Sequence, residues 1–292
     1  MFGRFFSKND SFANPSYGLD ISDESIKFVL FTATKQGLRL KKYGEHKISP
    51  GIIESGEIKD TKGLTEILNS LRRQDGIKSA RMSLPAEQAY ILKDSFISIA
   101  AVEPEAQAIY RAVIKKGDLG TYMIVDFGEK HTGIHIVSKG AVMSSSVVDV
   151  GGITLTNMIQ MRFNLSFREA EEIKKTYGLQ RNMANQEISA TLLSGASLLR
   201  DAIEKLFLYW QMGKDEHGKN NPPIKKIILC GGDSNLIGLS EYLSVSLRNN
   251  VEMANVWINV LDTKNEVPGI SLKETFSFTT AIGLALGNFE RD

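Results

Sequence analysis

The run MIVDFGEKHTGIHIV, Met123 to Val137, reads as a buried apolar strand, a tight turn rich in glycine and charge, and a second strand. A hairpin at Lys139-Gly140 carries it on into AVMSSSVVDV and then to the pair Gly151-Gly152. The same pattern of strand, tight turn and strand occurs earlier, in YGLDISDESIKFVLFTAT from Tyr17 to Thr34. A third turn of this type, CGGDSNL at Cys230 to Leu236, closes the apolar strand IKKIILC. A tight turn between strands presents consecutive backbone N–H groups as a concave anion site, and glycine lets backbone approach phosphate oxygens closely. Two such turns facing one another can hold a triphosphate from both sides. Asp20 and Asp126, near the ends of the leading strands, suit Mg2+ held through water, because Mg2+ prefers oxygen ligands and keeps several waters. One such turn alone is an ordinary hairpin that carries an aspartate. Three in this order point to a two-lobed nucleotide clamp.

Outward from these turns, strands and helices alternate. GLRLKKYGEHKI completes a three-stranded meander after Tyr17, and Leu64, Ile67, Leu68 and Leu71 recur at helical spacing between Lys62 and Arg73. ARMSLP and AYILKDSFI read as further strands. Glu103-Pro104 opens a helix with proline at its first position and Ala106, Ile109 and Val113 on one face. In the second half, ITLTNMIQMRF and FREAEEIKKTY are helices, the latter stopped by Gly178. A long helix from Gln186 to Met212 carries Ile188, Leu192, Leu199, Ile203, Leu206 and Trp210 on one stripe. GLSEYLSVSLRN and FSFTTAIGLALG are the last helices, and 213–223 is a surface loop. Mixed strands and helices in this order give an α/β protein with sheets covered by helices. The expected division is a flexible tail at 1–16, a first lobe at 17–118 with 275–292, and a second lobe at 119–274 with a peripheral helical part at 152–222.

Composition narrows the function classes. The chain has 292 residues, 42% hydrophobic and 24% charged, enough for a substantial core. With a net charge of +1 and both signs interleaved, it offers no basic stripe for nucleic acid. The single cysteine, Cys230, excludes an intrachain disulfide and reads as a buried strand-end residue rather than a reactive thiol. No apolar run reaches the roughly 20 residues that a spanning helix needs, and Arg4 and Lys8 interrupt any signal-peptide core. A cytoplasmic protein is expected. Phe2, Phe5 and Phe6 beside Arg4 could touch a membrane surface, or the tail could pack on the domain or stay disordered.

GLDISDESIKFV, SLPAEQAYILKD, VEPEAQAIYRAVI leading into MIVDFGEKHTGIHIV, VVDVGGITLT, REAEEIKKTYG and ILCGGDSNLIGLSEYL together resemble the type IV pilus assembly protein PilM family. That family lies within the superfamily of actin and FtsA. The resemblance covers nearly all of the chain after residue 16. It implies a two-lobed actin-like ATPase (ribonuclease H-like) fold, with mixed sheets flanked by helices and ATP with Mg2+ bound between the lobes. It also implies phosphate contacts at Asp20, Ser22, Gly128, Thr132 and Gly133, with Mg2+ oriented by Asp20 and Asp126. Gly151 and Gly152 match the glycines that close on the phosphates from the second lobe. Glu171 and Lys174 match an acidic and basic pair that reaches the ribose and adenine. Gly231, Gly232 and Ser234 match the loop against the adenosine. Glu103 matches the position of a polar side chain that polarises the attacking water, or it is simply a helix N-cap carboxylate. Ser22 stands where many relatives have glycine. The expected activity is ATP binding with slow turnover at most.

One departure concerns partners. Members of the family carry a subdomain (1C-type) inserted in the first lobe before the VEPE helix, and here only Ser95 to Ala101 fills that interval. In the family the cytoplasmic tail of the inner-membrane protein PilN binds a groove formed partly by that subdomain. The resemblance thus implies a scaffold at the inner face of a bacterial membrane, with the PilN contact left open. Three other readings stay open: a polymerising protein like FtsA, with self-association; a small-molecule kinase of the same superfamily; and a nucleotide-free relic. The kinase reading lacks room for a substrate domain.

Overall fold

The computed structural model describes residues 16–290 except 36, 55, 84–95, 181–184, 215–217 and 261–268. The N-terminal tail, most of SLPAEQAYILKD and the AYILKD strand lie outside the described residues. Two compact units emerge: one runs to Glu103 and resumes at Leu284, and the other is Pro104–Gly283.

The first unit is built on a five-stranded sheet. β1 (Tyr17–Ile21), β2 (Ser25–Thr34) and β3 (Gly37–Lys47) form the expected antiparallel meander. A small hairpin, β4 (Ile53–Glu54) with β5 (Glu57–Ile58), leads to α1 (Thr61–Asp75), and β6 (Ser79–Met82) then returns parallel to β1. β7 (Ser98–Val102) adds a second parallel strand, so the order is β3-β2-β1-β6-β7. Asp60 caps α1 by accepting from the Gly63 amide, and Gly76 ends it in a left-handed conformation. Leu64, Leu68 and Leu71 are the buried stripe of α1, packed in one cluster with Leu19, Ile26, Phe28 and Met82 of the sheet. The amphipathic spacing of α1 and the apolar alternation of β1 and β2 therefore find each other, and that cluster is the core of this unit.

The second unit opens with α2 (Glu105–Val113). Pro104 is its N-cap rather than its first residue, one position from the sequence expectation, and the Pro104 carbonyl accepts from the amides of Gln107 and Ala108. β8 (Tyr122–Phe127), β9 (Thr132–Ser138) and β10 (Ala141–Val148) repeat the meander. Lys139 and Gly140 both have positive φ, 54° and 81°, as the tight hairpin between right-twisted strands requires. After α3 (Gly152–Phe163), α4 (Phe167–Tyr177) and α5 (Gln186–Met212), β11 (Lys226–Cys230) lies parallel to β8. A short 3-10 turn at Gly232–Asn235 and α6 (Leu239–Leu247) precede β12 (Val251–Met253), parallel to β11. The order is β10-β9-β8-β11-β12, the same as in the first unit. α7 (Leu272–Thr275) and α8 (Thr279–Leu286) follow. One core joins Met123, Val125, Phe127, Ile134 and Ile136 of the sheet to Leu155, Ile159, Leu192, Leu199 and Ile203 of α3 and α5.

The sequence division puts 104–118 and 275–283 in the first lobe, whereas the contacts group them with the second unit. α2 packs on β9 and β10, and the buried Arg111 guanidinium of α2 donates to the Gly283 carbonyl at 2.9 Å. Among the described residues no helix is long and apolar enough to cross a membrane.

Candidate functional site

In both units the candidate residues collect at the carboxyl ends of the parallel strands, where open α/β sheets hold their ligands. In the first unit, Asp20 is the penultimate residue of β1 and half-buried. Ser83 follows Met82, the register partner of Leu19, and its hydroxyl donates to Asp20 Oδ1 at 3.4 Å. Burial pushes the Asp20 carboxyl up, opposed by the charge of Lys27, its cross-strand partner. Ser22 closes the β1–β2 turn on itself: its amide and hydroxyl both donate to the Ser25 carbonyl at 3.0 Å, and its oxygen accepts from the Ser25 amide at 3.2 Å. The hydroxyl does here the turn-closing work that a glycine would leave to backbone.

Glu103 follows β7 on the same edge. Its amide donates to the Met82 carbonyl at 3.1 Å, and its carboxylate lies 3.9 Å from Arg81 Nη1 with a side chain only 12% exposed. It does not cap α2, whose N-cap is Pro104 and which has no side-chain cap. The N-cap alternative for Glu103 is therefore not what the geometry gives.

The second unit brings together most of the remaining candidates. Asp126 faces Gly133 across β8–β9 and Cys230 across β8–β11. The buried Cys230 thiol is pushed well above its ordinary value by burial and by its hydrogen bond and proximity to Asp126. It is a strand-end residue packed under the aspartate. Gly128 donates its amide to the His131 carbonyl at 3.1 Å and accepts from the Gly152 amide at 3.0 Å. Ile153 donates to the Glu129 carbonyl at 2.8 Å, so the first amides of α3 are tied to the turn that follows β8. The glycines permit this closeness. A Cβ on Gly151 would lie 2.3 Å from the Glu129 carbonyl oxygen, one on Gly152 2.0 Å from Asp233 Oδ1, and one on Gly231 2.4 Å from the Phe127 oxygen and 2.6 Å from Asp126 Oδ1. Gly231 also has φ +91°. Gly232 is exposed at the rim.

Two predicted contacts have their side chains turned elsewhere. Thr132 is fully buried, with its hydroxyl donating to the Val150 carbonyl at 2.5 Å. Ser234 is buried too, and its hydroxyl donates to the Gly231 carbonyl at 2.6 Å. α4 is set by a capping box, in which Ser166 accepts from the Glu169 amide and Glu169 from the Ser166 amide, and by Gly178 at its end. This placement buries Lys174, whose ammonium lies 2.8 Å from Asp233 Oδ1, 2.9 Å from Glu171 Oε2 and 3.1 Å from the Gly152 carbonyl. Asp233 is the member of this cluster that sequence reasoning misses. It stands inside the CGGDSNL turn, and the available clue is an acid between two glycines and a serine. Among the described residues no group of three or more His, Cys, Asp or Glu is arranged to hold a metal ion.

The model of the family described as type IV pilus assembly protein PilM matches residues 18–100 and 94–289, two segments that meet where the sequence reading locates the missing subdomain. No curated protein sequence matches the chain. Among solved structures, the chain is similar to that of a PilM-PilN type IV pilus biogenesis complex, at 18% identity over 95% of this chain and 99% of that one, with a TM-score of 0.75. It is also similar to the ethanolamine utilization protein EutJ from Carboxydothermus hydrogenoformans, at 18% identity over 93% and 89% of the two chains, with a TM-score of 0.66. For MreB5 of Spiroplasma citri bound to ADP the values are 16%, 91% and 93%, and 0.64. The fold is that of the actin-like ATPases, with mixed sheets flanked by helices, and the chain belongs to the type IV pilus assembly protein PilM family.

Proposed function

We propose that this protein binds ATP with Mg2+ and acts as a scaffold of the pilus assembly platform at the inner face of the membrane, with slow or no hydrolysis. The observation that carries the reading is the edge at Asp126. There three loops meet, and Gly151, Gly152 and Gly231 are each held against protein atoms that leave no room for a side chain. The backbone N–H groups of such glycine turns suit phosphate groups, and the MreB5 structures bound to ADP and to AMPPNP support nucleotide as the ligand class. Asp20 and Asp126 fit water-mediated Mg2+, since each puts a carboxylate at a strand end beside a glycine- or serine-containing turn. The metal would neutralise phosphate charge. Glu103 is the candidate for orienting a water, and the Arg81 guanidinium lies 3.9 Å from that carboxylate.

Similarity to the chain of a PilM-PilN complex supports PilN as a partner class. The second reading is an FtsA-like polymer, which the similarity to MreB5 supports; sedimentation of the full chain with and without ATP separates the two. The test of the main reading is thermal unfolding with and without Mg-ATP. Ligand at about 100 times its Kd should add roughly 2.7 kcal/mol to the wild type and much less to Asp126→Ala. No shift in nucleotide-free wild type would sink the ATP reading.

A further inference from the structure

The pair Glu171 and Lys174, expected to touch ribose and adenine, is already committed. An ammonium has three donors, and those of Lys174 go to Asp233 Oδ1, Glu171 Oε2 and the Gly152 carbonyl. Both oxygens of Glu171 are engaged too: Oε2 also accepts from the Thr156 hydroxyl at 2.5 Å, and Oε1 lies 3.1 Å from the Lys175 ammonium. Lys174 cannot reach a ligand without giving up a partner inside the protein, and each oxygen of Glu171 already holds an internal partner.

Asp233 differs from both. Its Oδ1 is fixed by the buried lysine, its Oδ2 has no partner among the described residues, and its side chain keeps 19% exposure. Gly152 leaves the space that the carboxylate occupies, since a Cβ there would meet Oδ1 at 2.0 Å and Oδ2 at 2.4 Å. The 3-10 turn Gly232–Asn235 holds the residue from below through the Ser234 hydroxyl bond to Gly231 and the Asn235 amide bond to the Lys273 carbonyl at 2.8 Å. The result is a carboxylate aimed by a lysine, with one oxygen left to accept.

We propose that Asp233 is the ribose-reading residue of the site, its Oδ2 accepting from a ribose hydroxyl while Lys174 serves as its positioning residue. This rests on the ATP reading above. A carboxylate is an acceptor only, so the ligand must bring a donor; the neutral donors of ATP are the two sugar hydroxyls and the adenine 6-amino group, and of these a hydroxyl makes the shorter bond to a carboxylate. Hydroxyl to carboxylate is a charge-assisted bond, and a site built around one discriminates strongly against an analogue that lacks the hydroxyl.

The experiment titrates the full chain calorimetrically with ATP, 2′-deoxyATP and 3′-deoxyATP in Mg2+, using wild type, Asp233→Asn and Asp233→Ala, each checked for folding by thermal unfolding. Asparagine still offers Lys174 an oxygen and turns a donor outward. Wild type is expected to prefer ATP over one of the deoxynucleotides by about tenfold or more, and both variants to bring that ratio close to about one. If wild type binds ATP and both deoxynucleotides alike, or if the preference survives in a folded Asp233 variant, Asp233 is not the acceptor and the ATP reading stands. If wild type binds none of the three, the ATP reading falls and this inference with it.

Discussion

The two five-stranded sheets share one strand order but differ in what joins the third strand to the fourth. In the first unit, α1 crosses with only the β4–β5 hairpin before it; in the second, α3, α4 and α5 make the crossing. Both sheets end the leading strand the same way, with an aspartate followed by one apolar residue, Asp20-Ile21 and Asp126-Phe127. Each aspartate lies beside an O–H or S–H from the neighbouring parallel strand, Ser83 in one sheet and Cys230 in the other. The repeated edge offers the same carboxylate twice. What the longer crossover adds is α4, and with it the Lys174 cluster that ties α4 to the start of α3 and to the Gly232–Asn235 turn. The sheet thus supplies the same acid twice, and the crossover supplies in Lys174 the cation that holds Asp233.

The largest effect should come from removing what only the second unit has. Lys174→Met leaves two carboxylates, Glu171 and Asp233, without their buried cation, and should cost about 4 kcal/mol in denaturant unfolding. A loss below about 1 kcal/mol would mean that the cluster is solvated and not a structural difference between the units. Next comes Gly231→Ala, which places a Cβ 2.4 Å from the Phe127 oxygen at φ +91° and should cost about 3 kcal/mol by the same measurement.

A pH effect tests the other face of the second sheet. His135 is buried on β9, with Nδ1 2.9 Å from the Ser145 hydroxyl and Nε2 without a partner, and burial holds it down to about 4. Its folded value lies below the unfolded one of 6.5, so on acidification the unfolded chain takes up the proton first. Stability is therefore lost as pH falls from about 6.5 toward about 4, amounting to about 2 kcal/mol by pH 5. Melting curves at pH 7 and pH 5 should show this contribution in wild type and lack it in His135→Gln. The smallest effect belongs to the first unit: Ser83→Ala removes only a 3.4 Å bond to Asp20 and should cost about 0.5 to 1 kcal/mol. If Ser83→Ala instead matched Gly231→Ala, the two edges would be equally taut, and the asymmetry between the units would vanish.

Much of the fold is legible in the chain because the elements involved are long or strongly punctuated. The α5 boundaries, Gln186 to Met212, follow from an uninterrupted apolar stripe, and the Lys139-Gly140 hairpin from its turn residues. β12 is not legible, since three residues, Val251 to Met253, carry no periodicity and become a strand only by pairing with β11. The equal order of the two sheets is half visible as two strand-turn-strand runs; the parallel strands that complete it are set by long-range pairing.

By itself the sequence determined the longer strands and helices, the three turns and the positions of Asp20 and Asp126, because hydrophobic period and turn chemistry are local properties. Only the tertiary structure decided which polar groups are still available. Thr132, Ser234 and Lys174 carry the right chemistry for a ligand, yet their donors are spent on Val150, on Gly231 and on the Asp233–Glu171–Gly152 cluster. Burial makes an unpaired donor costly, so the fold satisfies each with the nearest acceptor, and that acceptor often comes from a distant part of the chain.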